Sequence, residues 1–296
     1  MSDVEELMSR LIEISEVKMP GGWRGWVAVR DAGRERFSKE EWEQLLAEPE
    51  KLLEGSQQTL KSEGVNRVVI KYLSAGGRGV KAVIKRHEGR GVKGLFRLLK
   101  APRAMRNFIA AVRIRQAGLP VAGPLAAVYR KSFGSGGQNI YISEYIDGFN
   151  LYEFLKDLPS DSRERLKIIG QLSEQLAEIF AGLHKKGLWH RDAKATNFVV
   201  YEGDEGYQVA ITDVDGIKQY LFCKKSRQMQ WLWQLAASVM ELGVVNRTDF
   251  LRMLRAYCEK AGVPESQERE IFGELIKKAE AKYRRNQRKR TVEDGR

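Results

Sequence analysis

The stretch LWHRDAKATNFVV, residues 188–200, decides how the rest of the chain is read. His190, Arg191 and Asp192 stand side by side, Asn197 follows five residues after the aspartate, and an apolar β-forming run begins at Phe198. A carboxylate and a carboxamide at the two ends of one short loop can serve different atoms. The carboxylate can face a hydroxyl while the amide oxygen faces a hard cation. Taken alone, His-Arg-Asp is also compatible with a simple Arg–Asp turn pair, so the surrounding sequence has to supply the second and third marks.

Two strand-like runs supply them. Residues 207–212 (YQVAIT) lead into Asp213 within AITDVDG, and residues 80–86 (VKAVIKR) carry Lys85. Phosphoryl transfer asks for an ATP-anchoring lysine, oxygen ligands for Mg²⁺ and a carboxylate beside the attacking hydroxyl. Lys85, Asp192, Asn197 and Asp213 occur in that order.

The wider composition sets the class. The 296 residues suffice for two lobes with real cores. Hydrophobic residues make up 43% of the chain, and the strongest uncharged apolar window, 228–240, is too short to cross a bilayer. The opening MSDVEELMSR is acidic and polar, which predicts no secretory signal. Cys223 and Cys258 form no CxxC pair, which argues against a disulfide framework or zinc site and fits a cytoplasmic protein. The net charge of +12 points to an anionic partner: a membrane surface, nucleic acid or a phosphorylated substrate.

Periodicity predicts an α+β chain. A helix is expected over 3–17, with Leu7, Leu11 and Ile14 on one face. A short strand follows at 23–29, and Ser38 with Glu41 forms a capping box opening a helix through Leu53. Residues 68–73 and 80–86 form a hairpin across AGGRG. A helix runs over 105–117 to Gly118, and a strand over 138–145. Beyond 150 the pattern turns helical: Leu172, Leu176, Ile179, Phe180 and Leu183 make an apolar stripe, and further helices are expected at 231–242, at 249–260 and at the C-terminus. The expected organisation is an N-terminal extension at 1–56 packing on the next lobe, a strand-rich N-lobe at 57–146 and a helical C-lobe at 147–296, with a cleft where the lobes meet.

The segments AVIKRHEG (82–89), RAMRNFIAAVRIRQAGLPVAGPLA (103–126), ISEYIDG (142–148), LHKKGLWHRDAKATNFVV (183–200) and ITDVDG (211–216) together resemble the protein-kinase-like fold. More narrowly, they resemble the bacterial lipopolysaccharide kinases that phosphorylate Kdo or heptose of the inner core, the Kdo/WaaP/InaA group. The resemblance spans residues 60–245. It implies a bilobal kinase using ATP and Mg²⁺, with Asp192 as catalytic base and Lys194 neutralising the transferring phosphate. It implies Asn197 and Asp213 as Mg²⁺ ligands and Lys85 on the α/β-phosphates. The backbone of Glu144 and Ile146 would receive adenine, with Val83 and Val199 over its faces. The acceptor would be a glycolipid core sugar.

The pattern has departures. The region before the first hairpin strand, TLKSEGVNR, holds a single glycine where kinases carry a glycine-rich loop. Asn107 stands where many kinases have a glutamate paired to the lysine, and Asp215 is a second candidate ligand. The segment after Asp213 is too short to dock a peptide. Two other readings remain at this level: a RIO-type kinase or ATPase working with RNA, which suits nucleic acid binding, and a pseudokinase that binds a partner without chemistry. His190 and His184 read as scaffold residues, His87 as solvated, and Trp231 and Trp233 as packing. Two basic stretches, 93–106 and the eight Lys/Arg of 277–290, read either as solvated helix faces or as contacts to an anionic membrane, which would place the protein peripherally at the inner face.

Overall fold

The computed structural model describes residues 12–31, 33–55, 58–63, 66–88, 101–130, 137–158 and 162–294. The chain divides into two compact units, residues 1–145 and 146–296. The first is strand-rich and the second helical, so the α+β class expected from periodicity holds.

The first unit is built on one sheet. Strands β1 (Ile12–Met19), β2 (Trp23–Asp31), β4 (Gln58–Glu63), β5 (Asn66–Ala75), β6 (Arg78–Glu88), β7 (Pro124–Arg130) and β8 (Gln138–Glu144) pair in the order β1-β2-β7-β8-β6-β5-β4. The short β3 (Arg34–Glu35) pairs with β2. Residues 12–17, expected as part of a helix, are strand instead. IEISEVKM places β-branched Ile12, Ile14 and Val17 in a ladder from Ile12 opposite Asp31 to Met19 opposite Trp23, which buries Ile12, Val17 and Met19. The first half of that expected helix lies outside the described residues.

The Ser38 capping box is present: Glu41 N donates to Ser38 Oγ at 3.2 Å and Ser38 N to Glu41 Oε2 at 2.6 Å. The helix it opens, α1 (Lys39–Leu45), is shorter than expected. Pro49 has no N–H to give an α-helix, and Pro49–Leu53 forms a separate 3₁₀ turn. Trp42 of α1 is fully buried and donates Nε1–H to Ala28 O at 2.9 Å. The β5–β6 hairpin closes across Gly76 and Gly77, whose φ of +56° and +74° match the primed turn that fits strand twist. Helix α2 (Arg103–Gln116) buries Met105, Phe108, Val112 and Ile114. His87, read as solvated, is buried: it stands opposite Asn139 of β8, whose Nδ2 donates to its carbonyl at 3.1 Å.

The second unit begins with β9 (Phe149–Asn150) and α3 (Leu151–Lys156), and its centre is α4 (Ser162–Lys185). The predicted stripe is its buried face: Leu172, Leu176, Ile179, Phe180 and Leu183. Helices α5 (Lys225–Val239), α6 (Arg247–Ala261) and α7 (Glu268–Asp294) complete the helical body. Trp231 is fully buried, with its ring 5.0 Å from that of Phe180, so its packing role holds. His184 is buried against Tyr257, Nδ1 lying 3.0 Å from the hydroxyl, and burial pushes its pKa down to about 3. It is a neutral packing residue. The basic stretch 277–290 is helical within α7, whereas residues 93–100 lie outside the described residues.

Short strands complete this unit: β10 (Leu188–His190) pairs with β13 (Ile217–Gln219), while β11 (Phe198–Gly203) pairs with β12 (Gly206–Ile211) and β9. β10 stops at His190 and β11 starts at Phe198, so the loop 191–197 is stretched between two strand ends. β12 stops two residues before Asp213.

Candidate active site

The loop 191–197 has its backbone groups satisfied from three directions. From below, His190 Nδ1 accepts the Asp192 N–H at 3.0 Å. Nδ1 therefore carries no proton, and Nε2–H donates to Asp213 O at 2.9 Å. One imidazole thus ties the loop to the segment that carries Asp213. Burial holds the His190 pKa below its ordinary value, opposed by the nearby Asp213 carboxylate and carbonyl, so the ring is neutral near pH 7. The scaffold role read from the sequence is what this geometry provides.

From the side, helix α5 reaches in with three residues spaced along one face. Trp231 Nε1–H donates to His190 O. Gln234 accepts the Ala193 N–H at 3.1 Å and donates to Arg191 O at 3.1 Å. Ser238 Oγ accepts the Ala195 N–H at 2.9 Å and donates to Leu235 O at 2.7 Å. Sequence reading missed Gln234 and Ser238. The available signal was two polar residues four apart within the apolar run WLWQLAASV.

From within, Asn197 closes the loop. Its Nδ2 donates to Asp192 O at 2.6 Å, which leaves Oδ1 as the carboxamide's remaining ligand atom. Asn197 O accepts from Thr212 N at 3.0 Å and Thr212 Oγ1 at 3.2 Å, joining the loop to the end of β12. Asp213 Oδ1 accepts the Asp215 N–H at 3.2 Å, which orients the carboxylate. The Asp192 side chain is exposed, with Lys194 Nζ 3.5 Å from its Oδ2. The structure thus joins Asp192, Lys194, Asn197 and Asp213 in one bonded loop system with an exposed carboxylate at its tip. Val199 is buried on β11 opposite Asn150.

The predicted residues of the first unit form their own group. Lys85 and Val83 lie on β6, opposite Tyr141 and Ser143 of β8. Asn107 of α2 is buried, and its Nδ2 has no hydrogen-bond partner among the described residues. The Glu144 N–H donates to Gly123 O at 2.8 Å, so of the Glu144 backbone only the carbonyl is left for a nucleotide base. Ile146 is the first residue of the second unit.

The Glu144 side chain belongs to a feature the sequence did not announce. Arg36 NH2 lies 2.6 Å from Glu144 Oε1 and 3.3 Å from Asp31 Oδ2, and Arg115 Nε lies 3.0 Å from Asp31 Oδ1. Asp31 is only 1% exposed. Two guanidinium and two carboxylate groups balance to zero, which is the condition for holding such a cluster inside a fold.

Hard oxygens from Asn197 and Asp213 are the donor type Mg²⁺ takes, supplemented in kinases by phosphate oxygens. Among the described residues there is no cluster of three or more His, Cys, Asp or Glu that would cage a metal unaided. The donor set therefore fits a cation shared with a phosphorylated ligand.

The model of the lipopolysaccharide kinase (Kdo/WaaP) family matches residues 60–257. A solved structure described as WaaP in complex with acyl carrier protein is similar with a TM-score of 0.59 at 21% identity, over 80% of this chain and 93% of that one. The serine/threonine-protein kinase pkn2 of Myxococcus xanthus is 34% identical over 101 residues, 33% of this chain, and the match spans only 12% of that relative's length.

Proposed function

We propose, from the premise that this chain belongs to the lipopolysaccharide kinase (Kdo/WaaP) family and is a phosphotransferase, that it phosphorylates a Kdo or heptose hydroxyl of a glycolipid core. ATP would be the donor and Mg²⁺ the metal, as the family implies. The observation that supports the reading is the bonded loop 191–197, which leaves the Asp192 carboxylate exposed while the Asn197 carboxamide is tied to the Asp192 carbonyl through its Nδ2.

Each residue has a chemical task in this reading. Asp192 orients the acceptor hydroxyl and takes its proton, and Lys194 balances charge on the transferring phosphoryl group. Asn197 and Asp213 hold Mg²⁺, which when bound would neutralise phosphate charge. Lys85 anchors the α/β-phosphates. Val83 and Val199 offer apolar surface to adenine, and the Glu144 carbonyl and Ile146 N–H offer it polar edges. Catalysis is then mainly positioning and charge stabilisation. Acyl carrier protein accompanies the similar WaaP structure, and a carrier of that kind is a candidate protein partner here.

The test is mass spectrometry of core oligosaccharide from cells with and without the gene. Loss of one phosphate group from the core supports the reading, and an unchanged core contradicts it. A salt-sensitive complex with tRNA or rRNA and none with lipopolysaccharide would favour the RNA-linked alternative. Absence of any ATP turnover would favour the pseudokinase.

A further inference from the structure

Among the described residues, large exposed apolar side chains are scattered singly, with one exception. Leu221 is fully exposed, and its neighbour Phe222 is 67% exposed. Single exposed apolar residues need no explanation, but an adjacent pair held out from the surface does.

The pair is held on both sides. Tyr220 N–H donates to Gly187 O at 2.9 Å. Gly187 has a φ of +68°, and a Cβ there would lie 2.0 Å from Tyr220 O, so only glycine lets the two backbones come this close. The Arg227 guanidinium sits 3.8 Å from the centre of the Tyr220 ring. On the other side Cys223 is buried, and its carbonyl accepts from Gln228 Nε2 at 2.9 Å. Two apolar side chains thus project between two anchored neighbours.

The surroundings are cationic. Lys185 and Lys186 precede Gly187, and Lys218, Lys224 and Lys225 flank the pair on its own segment. All five are exposed. Neither 183–190 (LHKKGLWH) nor 216–227 (GIKQYLFCKKSR) contains a carboxylate. Lys225 also donates to Gln267 Oε1 at 2.9 Å. β13, which leads into this tip, pairs with β10, which leads into the Asp192 loop.

We infer that Leu221 and Phe222 form a membrane-docking tip, seated in an anionic lipid surface with the lysines on its headgroup phosphates. An apolar wedge with a cationic collar matches the boundary between acyl chains and headgroups, where lysine stems lie along apolar surface and their ammonium groups reach phosphate. Two side chains are too little for the core of a stable protein interface, which takes roughly 800 Å² from each partner. This inference rests on the reading of a glycolipid acceptor, because a kinase with such a substrate has to work where the lipid is anchored.

The test is co-sedimentation of the full chain with vesicles of phosphatidylcholine, with and without phosphatidylglycerol. Wild type should bind the anionic vesicles, and Leu221→Ser/Phe222→Ser should lose about tenfold or more of that binding, as loss of two inserted side chains requires. Both changes lie on the surface, so melting temperature and ATP affinity should stay at wild-type values. Lys186→Gln/Lys224→Gln should weaken binding to anionic vesicles only. Phe222→Trp should move its emission to the blue when those vesicles are added. Equal sedimentation of wild type and the serine variant overturns the inference. So does capture of the tip by an acidic carrier protein with no vesicle binding. Tip-dependent vesicle binding by a chain that phosphorylates no core sugar leaves the tip standing and removes the acceptor assignment.

Discussion

The two units hold their candidate residues by different physics. In the second, a loop carrying the exposed Asp192 is tied by neutral hydrogen bonds: an imidazole, a carboxamide and three side chains of α5. Each bond is short-range and directional, and the carboxylate at the tip is left to solvent. In the first, the strand end at Glu144 is tied by partly buried charge centred on the buried Asp31, through Arg36 and Arg115. Neutral bonds contribute about 0.5–1.5 kcal/mol each, whereas leaving the buried Asp31 carboxylate without its charged partners costs about 3–5 kcal/mol. The lesson is that the loop is built for placement of a few atoms and the Glu144 edge for rigidity. Arg36 and Asp31 lie before residue 60, outside the residues that the family model matches.

The comparison can be broken most forcefully at the residues proposed to hold Mg²⁺. Asp213→Ala should lower turnover by about a hundredfold or more and raise the Mg²⁺ concentration needed for half-maximal rate. An unchanged Mg²⁺ titration would move the metal site, with Asp215 the next candidate. Gln234→Ala removes bonds to Ala193 N and Arg191 O at once. Its kcat should fall about 10- to 100-fold through misplacement of the loop, with ATP affinity retained by calorimetry.

The N-terminal brace should behave in the opposite way. Arg36→Gln should weaken ATP binding about three- to tenfold and leave kcat within about twofold, because it loosens the Glu144 edge and touches no reacting atom. Arg36→Lys, which keeps the charge, should recover part of the loss. A fall in kcat at constant ATP affinity would erase the contrast between the units.

The smallest effect concerns pH. His184 is held to about 3 in the fold and titrates near its ordinary value when unfolded, so the unfolded chain binds the extra proton. Stability is therefore full above about pH 6.5 and is lost as pH falls towards 3, by about 1 kcal/mol per unit. The buried His190 acts with the same sign. Denaturant titrations at pH 7.5 and 5.5 should show a shallower loss for His184→Gln than for wild type.

Much of this was legible in the sequence where local rules dominate. The helical stripe of α4, the Gly76–Gly77 hairpin and the Ser38 capping box follow from periodicity and turn chemistry. The strand at residues 12–19 was not legible, because a strand's identity depends on the partner it pairs with, and Ile14 fits a helical stripe as well as a ladder. His87 was misplaced for the same reason: it pairs with Asn139 of β8, a residue distant in the sequence. At the site, spacing brought out Asp192, Asn197 and Asp213. Spacing is blind to side chains arriving from a distant helix, so Gln234 and Ser238 were missed, as was the Arg36–Glu144 pair more than a hundred residues apart.

The most direct measurement incubates the purified chain with Mg-ATP and core oligosaccharide, wild type beside Asp192→Ala, and follows product by mass spectrometry. Asp192→Ala should bind ATP as wild type does and form product about 10²–10⁴-fold more slowly, the usual cost of losing a positioned base. Wild type should add one phosphate to the sugar. A variant that keeps more than about a tenth of the wild-type rate would contradict the role of Asp192, since that loss is smaller than any positioned base would leave.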